Sequence, residues 1–141
     1  MKLLPKTGVV ALLALSLAGC GSGGKPASPK SQIPRSIYTS SADCADAGKL
    51  TLDECTKLIE EAVAQHVASA PTYSSLRSCE KTEGVDRCER TDPKSYRPAL
   101  SAYLVTFGET KTVQPLYPTS DGKPGFKTLS KEAILDEDET L

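Results

Sequence analysis

The chain has 141 residues, and its 17 basic and 18 acidic side chains leave a formal net charge of −1 at pH 7. That balance argues against nucleic acid or an anionic lipid surface as a partner. With two Phe, one Met, no Trp and 38% hydrophobic residues, there is material for one small, thin core.

At the start, Lys2 and Lys6 precede the compact apolar run Val9–Leu15 and then Leu17-Ala18-Gly19-Cys20. This is the layout of a secretory signal peptide over residues 1–19, too short to be a spanning helix. Its end resembles the lipobox of bacterial lipoproteins. That resemblance implies cleavage between Gly19 and Cys20, diacylglycerol on the Cys20 sulfur and acylation of the new amino group. The plainer alternative is an ordinary cleaved signal, with Cys20 as a disulfide partner. One acyl chain binds a bilayer marginally and two or more bind it stably, so lipidation of Cys20 implies a firm membrane anchor. Gly21, standing where an inner-membrane lipoprotein would carry aspartate, points to the outer membrane facing the periplasm. Residues 20–35 are rich in Gly, Ser, Pro and Lys and read as a flexible tether.

Removal of residues 1–19 leaves 122 residues, with fifteen basic side chains against eighteen acidic ones. Four further cysteines, Cys44, Cys55, Cys79 and Cys88, make an even number in an exported protein, which reads as two disulfides. Zinc is the rival reading, but no pair has the separation of structural zinc ligands, and the single histidine is His66. A redox pair would want Cys-x-x-Cys, which is missing. No metal or cofactor is expected. Sequence alone leaves three connectivities open. The local pairing, Cys44 with Cys55 and Cys79 with Cys88, is preferred because Ala47-Gly48 and Glu83-Gly84 are turn signals inside the two intervals. A bond between Cys55 and Cys79, joining two helices, stays open beside it.

The main helix is well signed. Thr51-Leu52-Asp53-Glu54 has capping-box spacing, and Leu52, Cys55, Leu58, Ile59, Ala62, Val63 and Val67 recur at three- and four-residue steps. Pro71 stops the helix near Ser69 because its ring disfavours helical geometry at Ala70. Thr72 to Ser75 supply caps for a short second helix carrying Leu76 and Cys79 and closed by Gly84. Arg77, Lys81, Arg87, Arg90, Lys94 and Arg97 are interleaved with Glu80, Glu83, Asp86, Glu89 and Asp92, which predicts a solvated mixed face with no nucleic-acid role.

The run Ser36-Ile37-Tyr38-Thr39-Ser40, Asp43-Cys44, Cys55, the Ala-rich helix to Ala70-Pro71-Thr72-Tyr73, Cys79-Glu80, Gly84 and Cys88 resembles the bacterial lipoproteins of domain-of-unknown-function family 1190. Pro98-Ala99-Leu100, Tyr103, Gln114-Pro115-Leu116-Tyr117 and Asp121-Gly122 agree with it. The likeness spans roughly residues 36–130 and implies fold and location without an activity.

Further on, Leu100, Tyr103, Leu104 and Phe107 have helical spacing after Pro98, although Tyr103–Phe107 also has strand composition; helix is favoured. Thr112–Tyr117 and Phe126–Leu129 are strand candidates around the Ser120-Asp121-Gly122 turn, with Pro115, Pro118 and Pro124 confining them to sheet edges. Residues 131–141 read as an acidic, disordered tail. The expected fold class is α+β: a small disulfide-stapled domain over residues 36–130, with one main amphipathic helix, short helices and a C-terminal β-hairpin.

Function is expected to be that of a non-catalytic envelope lipoprotein presenting a surface to a protein or glycan partner, with Tyr73, Tyr96 and Tyr117 as exposed aromatics. An enzyme reading, a hydrolase or transferase acting on envelope polymers, rests on His66 with a nearby carboxylate and requires the ring to be reachable by solvent beside a nucleophile and an orienting acid. The plainer reading packs His66 at the helix end against a backbone carbonyl. A third reading, an inhibitor of an incoming hydrolase, is selected by no residue. Asp121-Gly122 lacks the ligand ladder of a calcium loop and is explained by turn chemistry.

Overall fold

The computed structural model describes residues 33–135. The signal segment, Cys20 and most of the tether lie outside them. In chain order the elements are β1 (Arg35–Tyr38), α1 (Ser41–Asp46), α2 (Leu52–Ser69), α3 (Leu76–Glu83), β2 (Cys88–Asp92), β3 (Ser95–Pro98), β4 (Ala102–Phe107), β5 (Lys111–Pro118), β6 (Phe126–Lys127) and β7 (Ala133–Ile134). The fold is α+β, with one long helix, two short ones and antiparallel strands.

α2 starts on the expected capping box. The Thr51 hydroxyl accepts from the Glu54 amide, and the Glu54 carboxylate accepts from the Thr51 amide at 2.9 Å. It ends at Ala70, whose extended ψ of 139° is what the following proline demands. α3 is capped by Ser75 and closed by Gly84 at φ 107°, a conformation that L side chains rarely adopt.

Five strands form one sheet in the order β1-β4-β5-β6-β7, and β2 and β3 form a separate two-stranded sheet. Along β4 and β5, alternation sends two sets of side chains to opposite faces. Tyr38, Val105 and Val113 pack with Cys44, Cys55 and Ala62, so α1 and α2 cover one face. Ala102, Leu104 and Leu116 pack with Ile134 on the other.

Both disulfides are local. Cys44–Cys55 staples α1 to the first turns of α2, and Cys79–Cys88 staples α3 to β2. All four sulfurs are therefore committed, which removes them as zinc ligands.

Several expectations are corrected. Residues 102–107 form a strand, not a helix: the segment pairs with β1 on one side and β5 on the other, burying Leu104 and Val105 on opposite faces. β5 is interior in the strand order, not an edge. Of its two prolines, Pro118 ends the strand opposite Phe126, and Pro115 is tolerated because β6 pairs only with Tyr117 and Pro118, so the ladder beside Pro115 is one-sided. Ordered structure also passes both expected boundaries, since Arg35 begins β1, and β7 lies within what was read as tail, with Ile134 buried.

Candidate functional site

Two polar networks sit behind the C-terminal half of the sheet. The first is centred on His66, in the last turn of α2 and 2% exposed. Its Nδ1 lies 2.8 Å from the Tyr117 hydroxyl on β5, and its Nε2 lies 3.1 Å from Glu89 Oε1 on β2. Arg97, the cross-strand partner of Glu89 on β3, donates Nε to the same oxygen at 2.6 Å. Partial burial raises the Glu89 carboxyl pKa, but Arg97 and His66 more than offset this and hold it below the ordinary carboxylate value. An ionised carboxylate has only lone pairs to offer, so Nε2 is the protonated ring nitrogen, and in the neutral ring Nδ1 accepts from Tyr117. Burial, with Glu89 and Glu83 adding to it against Arg97, pushes the Tyr117 phenol up to about 12, which keeps it a donor. The helix end is thus bound to β5 and to the small sheet by side chains, not by the backbone carbonyl expected for His66.

The second network is centred on Glu83, the last residue of α3, which is 3% exposed. Glu83 Oε1 accepts from the Tyr73 hydroxyl at 2.6 Å, and Oε2 accepts from Lys127 Nζ at 2.5 Å. Lys127 also donates to Ser120 Oγ at 2.7 Å. Burial raises the Glu83 pKa, but Lys127 and Tyr73 outweigh it and the carboxyl ends below its usual value. Burial and the Glu83 carboxylate together raise the Tyr73 phenol to about 12. A cavity of about 20 Å³, lined by Glu83, Pro98, Tyr117 and Lys127 among others, adjoins both networks. It has room for about one water molecule. A larger surface cleft of about 310 Å³ opens beside Glu83, Ser120 and Lys127.

These findings change three readings. Tyr117 is buried, while Tyr73 and Tyr96 are half-buried and bridged to each other through their backbones at 2.7 and 2.9 Å, so none of the three is an exposed aromatic. His66 is sealed from solvent with both ring nitrogens engaged, which is not the accessible general base that the enzyme reading required. Glu83 and Glu89 leave the solvated mixed face to serve as network acceptors. One signal for Glu83 was available: it lies four residues after Cys79, on the same side of α3, and so places a carboxylate on the buried stripe. Nothing local marks Lys127 or Arg97, whose roles come from strand pairing.

Asp121 behaves as a turn residue. Its carboxylate accepts from the Lys123 amide at 3.2 Å and pairs with the Lys123 ammonium at 3.0 Å, next to Gly122 at φ 72°. Among the described residues there is no group of three or more metal-capable side chains, and no helix is long and apolar enough to cross a membrane.

The architecture defines a disulfide-stapled α+β domain whose polar interior is occupied by two satisfied side-chain networks. The chain belongs to the family described as protein of unknown function (DUF1190), whose sequence model matches residues 32–135. No curated protein and no solved structure matches the chain.

Proposed function

We propose that the protein is a cell-envelope lipoprotein, anchored through acylated Cys20 in the outer membrane and facing the periplasm, and that its folded domain is a non-catalytic binding or structural module. The observation that carries this reading is the pair of closed disulfides, Cys44–Cys55 and Cys79–Cys88. Such bonds persist in oxidising compartments outside the cytosol, and they staple a domain whose core is thin. The N-terminal segment supplies the address, with a basic start, an apolar run and Leu17-Ala18-Gly19-Cys20.

The non-catalytic part is supported by the way the titratable side chains are used. His66, Glu89 and Arg97 satisfy one another, as do Tyr73, Glu83 and Lys127, and each set joins elements distant in sequence. Such networks fix a unique packing.

The test is intact mass of the protein extracted from membranes, with and without reduction and alkylation. The expected result is a chain beginning at Cys20, carrying two or three acyl chains, in which reduction exposes four thiols. A Cys20→Ser variant is expected to leave the membrane fraction. A mature chain with an unmodified Cys20, or one still membrane-bound after Cys20→Ser, overturns the anchor.

A further inference from the structure

The cleft of about 310 Å³ lies between the end of α3, the β5–β6 turn and the segment around Lys131. Its volume falls at the small end of ligand pockets, which run to about 300–1,000 Å³, and suits a ligand of about two amino acids. Its chemistry is unbalanced towards donors. Both oxygens of Glu83 are already engaged, one by Tyr73 and one by Lys127. The Lys127 ammonium has three N–H bonds, of which two meet Glu83 and Ser120. Ser120 Oγ accepts from Lys127 and keeps its own O–H to donate. Lys131, exposed at the rim, makes no ion pair among the described residues, although its charge is felt at Glu83. Asp121 does not neutralise it, because that carboxylate is bound to Lys123. Among the described residues, Lys123, Lys127 and Lys131 stand against Glu83 and Asp121 in and beside the cleft, one positive charge in excess, and Ser120, Lys127 and Lys131 line it as donors.

We propose that this cleft is a binding site for a small monoanionic carboxylate ligand, of the kind presented by the free C-terminus of a short peptide. The carboxylate sits between Lys127, Ser120 and Lys131, and the apolar part of the ligand rests on half-buried Phe126. One excess charge matches a carboxylate better than a phosphate dianion, and charge-assisted hydrogen bonds are the strong ones. The site is preformed. Gly84 brings the end of α3 against the Ser120 carbonyl, so closely that a Cβ there would stand 3.1 Å from that oxygen. This inference rests on the reading of the domain as a binding module, and not on the lipid anchor.

The experiment is titration of the 15N-labelled full chain in detergent micelles with N-acetyl-Ala-Ala, followed by amide shifts. The neutral C-terminal amide of the same peptide and inorganic phosphate serve as comparison probes. The expected result is saturable shifts confined to Ser120, Asp121, Phe126, Lys127 and Lys131, with the carboxylate peptide binding well above the amide. Lys131→Gln is expected to weaken binding about tenfold and Ser120→Ala about threefold, since each removes one polar contact from an otherwise intact fold. Equal binding of the amide, preference for phosphate, or the absence of saturable shifts overturns the site. Turnover of the peptide, seen as free alanine, keeps the site and overturns the non-catalytic reading instead. Loss of the Cys20 anchor leaves the titration unaffected, so the two failures are distinguishable.

Discussion

The Glu83 and His66 networks use similar parts, a carboxylate, a tyrosine and a cation, and differ in where the charge lies. In the Glu83 network the carboxylate is buried and its cation nearly so: the Glu83 side chain is 4% exposed and the Lys127 side chain 15%. In the His66 network the imidazole is sealed, but Glu89 and Arg97 reach the surface, with side chains 38% and 22% exposed. Water therefore substitutes for a lost partner more readily at Glu89 than at Glu83. The same hydrogen bonds consequently stabilise the two places by different amounts.

The sharpest test removes the cation. Lys127→Met leaves the Glu83 carboxylate buried beside Tyr73 without its counter-ion, and breaking a buried pair from one side destabilises by about 3–5 kcal/mol. The double change Lys127→Met with Glu83→Gln is expected to recover much of that loss, because the uncompensated charge is gone. Urea unfolding of the single and double variants measures both. A Lys127→Met loss no larger than about 1 kcal/mol, the range of surface pairs, would break the comparison.

The Cys79–Cys88 bond acts on both networks at once, since Glu83 lies inside the loop it closes and Glu89 follows directly after it. In the chain-entropy account, a loop of this size stabilises by about 3 kcal/mol. Paired Cys79→Ser and Cys88→Ser changes are therefore expected to destabilise by about that amount, and to loosen His66 and Lys127 together. Amide exchange at β5 and β6 would show whether the two networks open as one unit.

What was legible in the sequence follows from how local each cause is. The Thr51–Glu54 box, the Leu52–Ser69 helix, the Ala70-Pro71 stop and the Ser75-to-Gly84 helix are set within a few residues, and they were readable. Tyr103–Phe107 was not, because Tyr, Leu, Val, Thr and Phe in a row fit both periods and the choice is made by β1 and β5. The networks were illegible for the same reason. His66 was visible as the single histidine, at the end of the main helix, yet its partners Tyr117 and Glu89 lie 51 and 23 residues away. Only register brings them to it. Tyr117 shows the cost of reading a tyrosine without register: as a β5 residue facing α2 it is core.

The His66 side of the comparison predicts smaller effects. Tyr117→Phe keeps the ring in place and removes the donor to Nδ1, leaving a buried acceptor unpaired, at about 1–2 kcal/mol. Glu89→Gln keeps an acceptor for Nε2 and Arg97 at a half-exposed site, and is expected to fall below about 1 kcal/mol. Thermal unfolding ranks the two. If Glu89→Gln proves as damaging as Lys127→Met, the exposure of Glu89 does not moderate its charge.

The smallest effect belongs to a carboxylate outside both networks. Glu54 accepts from the Thr51 amide, its largest stabiliser, and from the Lys111 ammonium at 3.0 Å, and its pKa falls to about 2 from an ordinary 4.5. A group whose pKa is depressed by folding contributes stability above its unfolded pKa and loses it as pH falls through the folded one. The Glu54 contribution is therefore present above about pH 4.5 and lost on the way down to about pH 2. Glu83 and Glu89 are depressed in the same direction, so acid unfolding removes all three. Glu54→Gln is expected to flatten the acid limb only slightly, because the site is open to solvent and screened, whereas Glu83→Gln should flatten it most. Carboxyl 13C titration assigns the three inflections. A Glu54 inflection near 4.5 would show that the capping box holds the helix without holding the charge, and the acid limb would then belong to the Glu83 and His66 networks alone.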